Sequence, residues 1–127
     1  KIVIKLDPKN ANALNYLGYT YAELGKNLDE AEQLINEALQ YKPDDGYIID
    51  SLGWVYFKKG YFRKAVKLLN KAVSLAPDDP IILEHLGDAY IKIKDKKNAM
   101  KLYKQSLQHM ESNKTVLEKK IQELGQD

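Results

Sequence analysis

The sequence predicts an all-α fold in which three helical hairpins stack in series as a solenoid, closed by a C-terminal helix. Three observations predict it. Leu-Gly pairs recur at Leu17-Gly18, Leu52-Gly53 and Leu86-Gly87, spaced 35 and 34 residues apart. A tyrosine stands three places after each glycine, at Tyr21, Tyr56 and Tyr90. Small residues keep the same period at Ala31, Ala65 and Ala99, and again at Ala38, Ala72 and Ser106. A fixed period of this length marks a repeat whose single unit cannot bury its own apolar face and must stack on a neighbour.

The elements follow in order. Val3-Ile4-Lys5-Leu6-Asp7-Pro8 reads as the tail of a helix, so residues 1–10 are expected to be the remnant of a preceding repeat in a longer protein. The first hairpin spans residues 11–45. Its opening helix gathers Leu14, Leu17, Tyr21 and Leu24 on one face by three- and four-residue steps, with Asn10 placed to cap it. Its second helix carries Ala31, Leu34, Ile35, Ala38 and Leu39, with Asn27 and Glu30 spaced as a capping box. Gly25 supplies the turn between them, and one extra residue lies between Gly25 and Ala31.

The second hairpin, residues 46–79, repeats the stripe as Ile49, Leu52 and Tyr56, turns at Gly60, and returns through Ala65, Leu68, Leu69, Ala72 and Val73. Pro43 and Pro77 cannot extend the helices before them. The third hairpin, residues 80–111, opens with Asp79 as a cap and Pro80 in the first turn. It departs from the pattern at Lys94 for the turn glycine, Ser106 for an alanine, and Glu111 where proline stood. Residues 112–127 form the closing helix, capped by Asn113. Leu117, Ile121 and Leu124 line one side of it and Glu118, Lys119, Lys120 and Glu123 the other, as the exposed end of a stack requires. Gly18, Gly53 and Gly87 each cost a helix about 1 kcal/mol relative to alanine, a loss that close approach of the partner helix would offset.

The stretch Leu14, Leu17-Gly18, Tyr21, Ala31, Ala38-Leu39, Pro43 resembles the tetratricopeptide repeat signature. Ile49, Leu52-Gly53, Tyr56, Gly60, Ala65, Ala72, Pro77 resembles it more closely still. The resemblance covers residues 11 to about 111 and implies a right-handed α-solenoid that binds proteins. Asp50-Ser51-Leu52-Gly53-Trp54-Val55-Tyr56 with Leu86-Gly87-Asp88 also resembles C-terminal repeat blocks of bacterial envelope proteins. That likeness leaves the compartment open between the cytoplasmic and periplasmic sides of a bacterial envelope.

Composition excludes some functions and is neutral on others. Hydrophobic residues are 44% and charged residues 30% of 127, with a formal net charge of +2, too small by itself to imply nucleic acid. No stretch approaches the roughly 20 apolar residues of a membrane-spanning helix, so no direct membrane insertion is expected. There is no cysteine, hence no disulfide or thiolate chemistry. Asn113-Lys114-Thr115 fits a glycosylation sequon, a triplet common by chance.

No catalytic constellation is visible, and no metal or cofactor is expected. His85 and His109 lie 24 residues apart on different expected helices; His85 reads as a solvated helix residue. Gly18 and Gly25-Lys26 lack the spacing and the Ser or Thr of a phosphate loop. Asp44-Asp45 and Asp78-Asp79 stand at helix starts, where the dipole favours acids.

The family resemblance implies that the first helices of successive units line a concave groove. The candidate residues are Asn12, Asn15, Tyr16, Tyr19 and Glu23 in the first unit, then Tyr47, Asp50, Ser51, Trp54 and Lys58 in the second. The third offers Glu84, His85, Asp88 and Lys92. Aromatic side chains dominate binding hot spots, so Trp54→Ala is expected to weaken a partner while leaving melting largely intact. Alternatively, Tyr19 and Trp54 fill gaps between neighbouring first helices. Where some family members clamp a C-terminal carboxylate with basic residues, the matching places here hold Asn15, Tyr19, Ser51, Ile81 and His85, and an apolar or aromatic peptide suits them better.

Charge is segregated along the chain. Residues 7–50 hold nine acidic and three basic residues, residues 57–110 twelve basic and five acidic. Much of the positive charge (Arg63, Lys64, Lys67, Lys71, Lys97, Lys101, Lys104) falls on second helices. A solvated face, an acidic partner, or another copy's acidic half would each account for it. The leading expectation is a non-catalytic scaffold for a peptide or protein segment. The alternatives are an RNA-binding helical-repeat module, with the basic second helices on phosphate, or self-association through the array ends at Val3, Ile4 and Leu6.

Overall fold

The computed structural model describes residues 10–126. Seven α-helices, and no strand, occur among them. They are α1 (Ala11–Leu24), α2 (Leu28–Tyr41), α3 (Gly46–Lys59), α4 (Phe62–Leu75), α5 (Pro80–Lys92), α6 (Lys96–His109) and α7 (Thr115–Gly125). The expected remnant before residue 10, with Val3, Ile4, Leu6 and Pro8, lies outside the described residues.

Packing is serial. Each hairpin pairs its own two helices (α1 with α2, α3 with α4, α5 with α6), and each second helix beds the next first helix, α2 on α3, α4 on α5 and α6 on α7. First helices also touch one another, α1 with α3 and α3 with α5, whereas no such extended contact joins successive second helices. The array therefore closes on its first-helix side and opens on its second-helix side.

Small residues at the seam set the approach. Ala31, Ala38, Ala65, Ala72, Ala99 and Ser106 are wholly buried. A Cβ at Gly53 would lie 2.8 Å from Leu69 Cγ, and one at Gly18 2.6 Å from Ile35 Cγ1, so only glycine fits these crossings without repacking. Ser106 uses its extra oxygen, donating to the Pro80 carbonyl at 2.7 Å.

Helix ends follow their caps, with two corrections. The Asn10 side chain accepts from Ala13 N, and Asp45, Asp79 and Asp95 cap α3, α5 and α6 in the same way. Asn27 makes no side-chain cap bond and is left-handed at φ 51°, so the expected capping box with Glu30 does not form. The extra residue in that turn takes Asn27 out of the extended conformation a cap requires. Asn113 likewise takes φ 58° and leaves Lys114 at the N-cap position of α7. Asparagine tolerates the left-handed region because its short side chain bonds locally, and both turns use it that way. Lys94 occupies the same region at φ 66°, in the place the second hairpin gives to Gly60 at φ 88°.

The closing helix behaves as a cap. Leu117 is buried, and with Ile121 and Leu124 it packs on Ala99, Tyr103 and Tyr90.

Candidate functional site

The first-helix face is a continuous polar and aromatic ladder that crosses three hairpins. Trp54 on α3 is at its centre. Its indole stacks on Phe57 at 4.4 Å and on the His85 ring of α5 at 3.9 Å between centroids. Its Nε1–H donates to Glu23 Oε1 on α1 at 2.8 Å. Lys58 Nζ stands 5.5 Å from the Trp54 ring centroid, within cation–π range. One side chain thus ties three successive first helices together.

Below it, His85 Nδ1 lies 2.9 and 3.2 Å from the two oxygens of Asp50, and the ring N–H donates to that carboxylate. Both residues are buried, with 7% and 5% of their surface exposed. The expectation of a solvated His85 is therefore corrected. The reason is packing: successive first helices approach closely enough that a side chain at this place meets the preceding unit rather than water. Tyr19 leans on the same ring at 6.2 Å. Burial, then the nearby Glu23, Asp50 and Glu84 carboxylates, push its hydroxyl up to about 12.

At the C-terminal end of the face, Lys120 of α7 donates to Glu84 at 2.6 Å and to Asp88 at 3.0 Å. Burial pulls its ammonium down, but these two carboxylates more than offset that and hold it above its ordinary value. Asp88 also accepts from the Tyr103 hydroxyl. Burial and this bond hold Tyr103 far above the ordinary phenol range.

Of the groove candidates, Asp50, Ser51, Trp54 and His85 are buried. Asn15, Tyr19, Glu84 and Asp88 are partly buried, and Asn12, Tyr16, Glu23, Tyr47, Lys58 and Lys92 are exposed. The Asn15 Oδ1 is enclosed without a hydrogen-bond donor among the described residues. Tyr16 is 75% exposed and Tyr47 57%. Because Ala11, Gly46, Pro80 and Thr115 begin their helices, Asn12, Tyr47, Ile81 and Val116 hold one repeat position. Ile81 and Val116 are exposed there as Tyr47 is. Tyr47 also flanks a cleft of about 310 Å³ shared with Pro77 and Pro80.

Sequence reasoning placed Ile81 only at a clamp-matching position and passed over Val116 as a groove residue, and it passed over Lys59 and Lys120 as bridges. Lys59 of α3 binds Asp29 at 2.6 Å and Glu32 at 2.7 Å on α2. A signal existed: these bridges, like Glu23–Trp54 and Asp50–His85, join residues 27 to 36 apart, close to one repeat. Among the described residues no group of three His, Asp or Glu side chains could hold a metal ion, and no helix is long and apolar enough to cross a membrane.

The fold defines a class, the all-α helical-repeat proteins. A family model described as the Psidin N-terminal TPR repeats region matches residues 3–114, and the chain belongs to the tetratricopeptide repeat family. It is 40% identical over 74 residues to the TPR repeat-containing protein PA4667 of Pseudomonas aeruginosa, a match covering 53% of this chain and 12% of that protein. The first TPR domain of human RPAP3 superposes with a TM-score of 0.83 at 24% identity, covering 94% of this chain and 92% of that one. The first TPR of Spaghetti (RPAP3), solved bound to the HSP90 peptide SRMEEVD, gives a TM-score of 0.82 at 22% identity over 94% of both chains. MamA gives 0.71 at 23% identity, covering 86% of this chain and 63% of MamA. Tetratricopeptide domains are protein-interaction modules, and their fold is generally a non-catalytic scaffold.

Proposed function

We propose that this chain is a non-catalytic scaffold that holds a peptide or protein segment against its first-helix face. The observation that carries the reading is the exposed apolar row Tyr47, Ile81 and Val116, one residue at the same place of α3, α5 and α7, with Tyr16 also exposed on α1. The contacts of His85 with Trp54 and Asp50 join α3 to α5 and so fix the spacing of two of the helices that carry the row. Exposed apolar side chains on a rigid support lose little entropy when a partner covers them. An extended segment with apolar side chains at intervals fits such a row.

An acidic C-terminal peptide of the HSP90 kind suits this face less well. Such a peptide needs cations where its carboxylates land, and the clamp positions here carry Asn15, Tyr19, Ser51, Ile81 and His85.

The test is to select binders from a random peptide display library and to measure the enriched peptides by isothermal titration. Replacing Tyr47 and Ile81 together by alanine should weaken them by about 2 kcal/mol or more with little change in melting temperature, since both side chains are exposed. Equal affinity for the wild type and the double variant would place the binding site elsewhere.

A further inference from the structure

We infer that the outward face of α4 and α6 docks a flexible, carboxylate-rich segment of another protein. The α4 helix exposes Arg63, Lys64, Lys67 and Lys71. From α6, Lys97, Lys101 and Lys104 are exposed. Neither helix contains an acidic residue, and none of these seven cations has an ion-pair partner among the described residues.

The fold does not ask for this charge. Asp29, Arg63 and Lys97 occupy one repeat position, as do Gln33, Lys67 and Lys101. The first hairpin thus accepts an acid where the other two place cations. Arg63, Lys64 and Lys97 moreover sit in the first turns of α4 and α6, where the positive end of the helix dipole repels them. The α2 helix opens on Asp29 and Glu30, the arrangement the dipole favours. Glu32 and Asp95 offset part of the charge at Lys64 and Lys97, and the remaining cations create a positive field at the outer surface that a negative partner complements.

The same surface narrows the occupant. In a second copy of this chain Lys59 holds Asp29 and Glu32 and Lys120 holds Glu84 and Asp88, and exposed carboxylates such as Asp44, Glu111 and Glu118 sit on three separate elements rather than in one flexible run. Asp45, Asp79 and Asp95 cap helices. Single-stranded RNA needs successive aromatic platforms for its bases, and the exposed aromatics here stand only at the helix ends, Tyr61 before α4 and His109 at the end of α6. The second helices splay apart along the stack, so a flat bilayer would meet only the crest, whereas a flexible chain can follow the surface across both helices.

The experiment is fluorescence anisotropy with a labelled oligoglutamate of about 12 residues, titrated with the full chain at low and at roughly physiological salt. Binding is expected at low salt, weakening steeply as salt rises. The variant Lys67→Gln/Lys71→Gln/Lys101→Gln/Lys104→Gln should lose about tenfold or more in affinity, while circular dichroism shows its helices intact. Tyr47→Ala/Ile81→Ala should bind the oligoglutamate like the wild type, which separates this face from the groove. The inference is overturned if the glutamine variant binds unchanged or if the wild type fails to bind at low salt. Tighter binding of oligouridylate or of phosphatidylserine vesicles than of the peptide would overturn it equally.

Discussion

Trp54 shows how one position can serve packing and surface together. Its ring is sandwiched between Phe57 and His85 and is 7% exposed. The sequence-based expectation that alanine here would spare the fold is therefore reversed. Trp54→Ala should lower unfolding stability by about 3 kcal/mol or more, the usual cost of deleting a buried aromatic, as read from urea melts. Trp54→Phe keeps a ring in the stack and gives up the bond to Glu23, so it should lose only about 1 kcal/mol. Equal losses would assign the effect to the hydrogen bond. Gly53→Ala sets two known terms against each other. Alanine gains about 1 kcal/mol of helix propensity, but its Cβ lands 2.8 Å from Leu69, a side chain with no room to yield at 0% exposure. Overpacking of that kind costs about 1–3 kcal/mol, so a net loss is expected. The need for glycine at this seam was legible, because the Leu-Gly period placed three glycines where helices cross. The burial of His85 was not. Its partner Asp50 lies 35 residues away, and no local pattern distinguishes a histidine on a solvated face from one pressed against the neighbouring unit.

Helices and their ends were legible wherever the cause is local. Apolar spacing marked both helices of each hairpin, and Asn10 and Asp79 were read as caps because a cap acts on the next three residues. Asn27 and Asn113 misled because the same residue type serves two purposes, capping and left-handed turns, and only the backbone decides between them. Bridges between hairpins needed the tertiary register. Lys59 is the clearest case, since it joins α3 to Asp29 and Glu32 of α2 while the Tyr56 hydroxyl donates to Glu32 at 2.8 Å. The Lys59 ammonium, aided by Tyr56, holds the Glu32 carboxyl below its ordinary 4.5. Its stabilising contribution is therefore present above that value and is lost as pH falls beneath it. The two carboxylates hold Lys59 above its ordinary 10.5, so its contribution is present below that value and is lost only as pH rises well past it. Between those limits the cluster is intact. Lys59→Met should lower the melting temperature at neutral pH by a few degrees. The gap between variant and wild type should narrow as pH falls below about 4. A gap independent of pH would mean that the lysine stem matters and its charge does not.

For the whole molecule, serial packing has a consequence that a single globular core lacks. Each helix rests on its sequence neighbours, so damage at one end should stay near that end. Leu117 allows the test because it is 1% exposed and anchors α7 on Ala99 and Tyr103, far along the array from α1. Leu117→Ala should remove about 2–5 kcal/mol from that contact. As α7 loosens, Lys120 leaves Glu84 and Asp88, and the two carboxylates are left facing each other across one turn of α5. Hydrogen exchange should then speed up in α7 and α6 and, more weakly, in α5. Amides of α1 and α2 should keep wild-type rates, since neither helix packs on the lost surface. Equal acceleration in every helix would mean that the three hairpins and their cap unfold as one unit. In that case the contacts between first helices, with Trp54 at their centre, would couple the array more tightly than nearest-neighbour stacking allows.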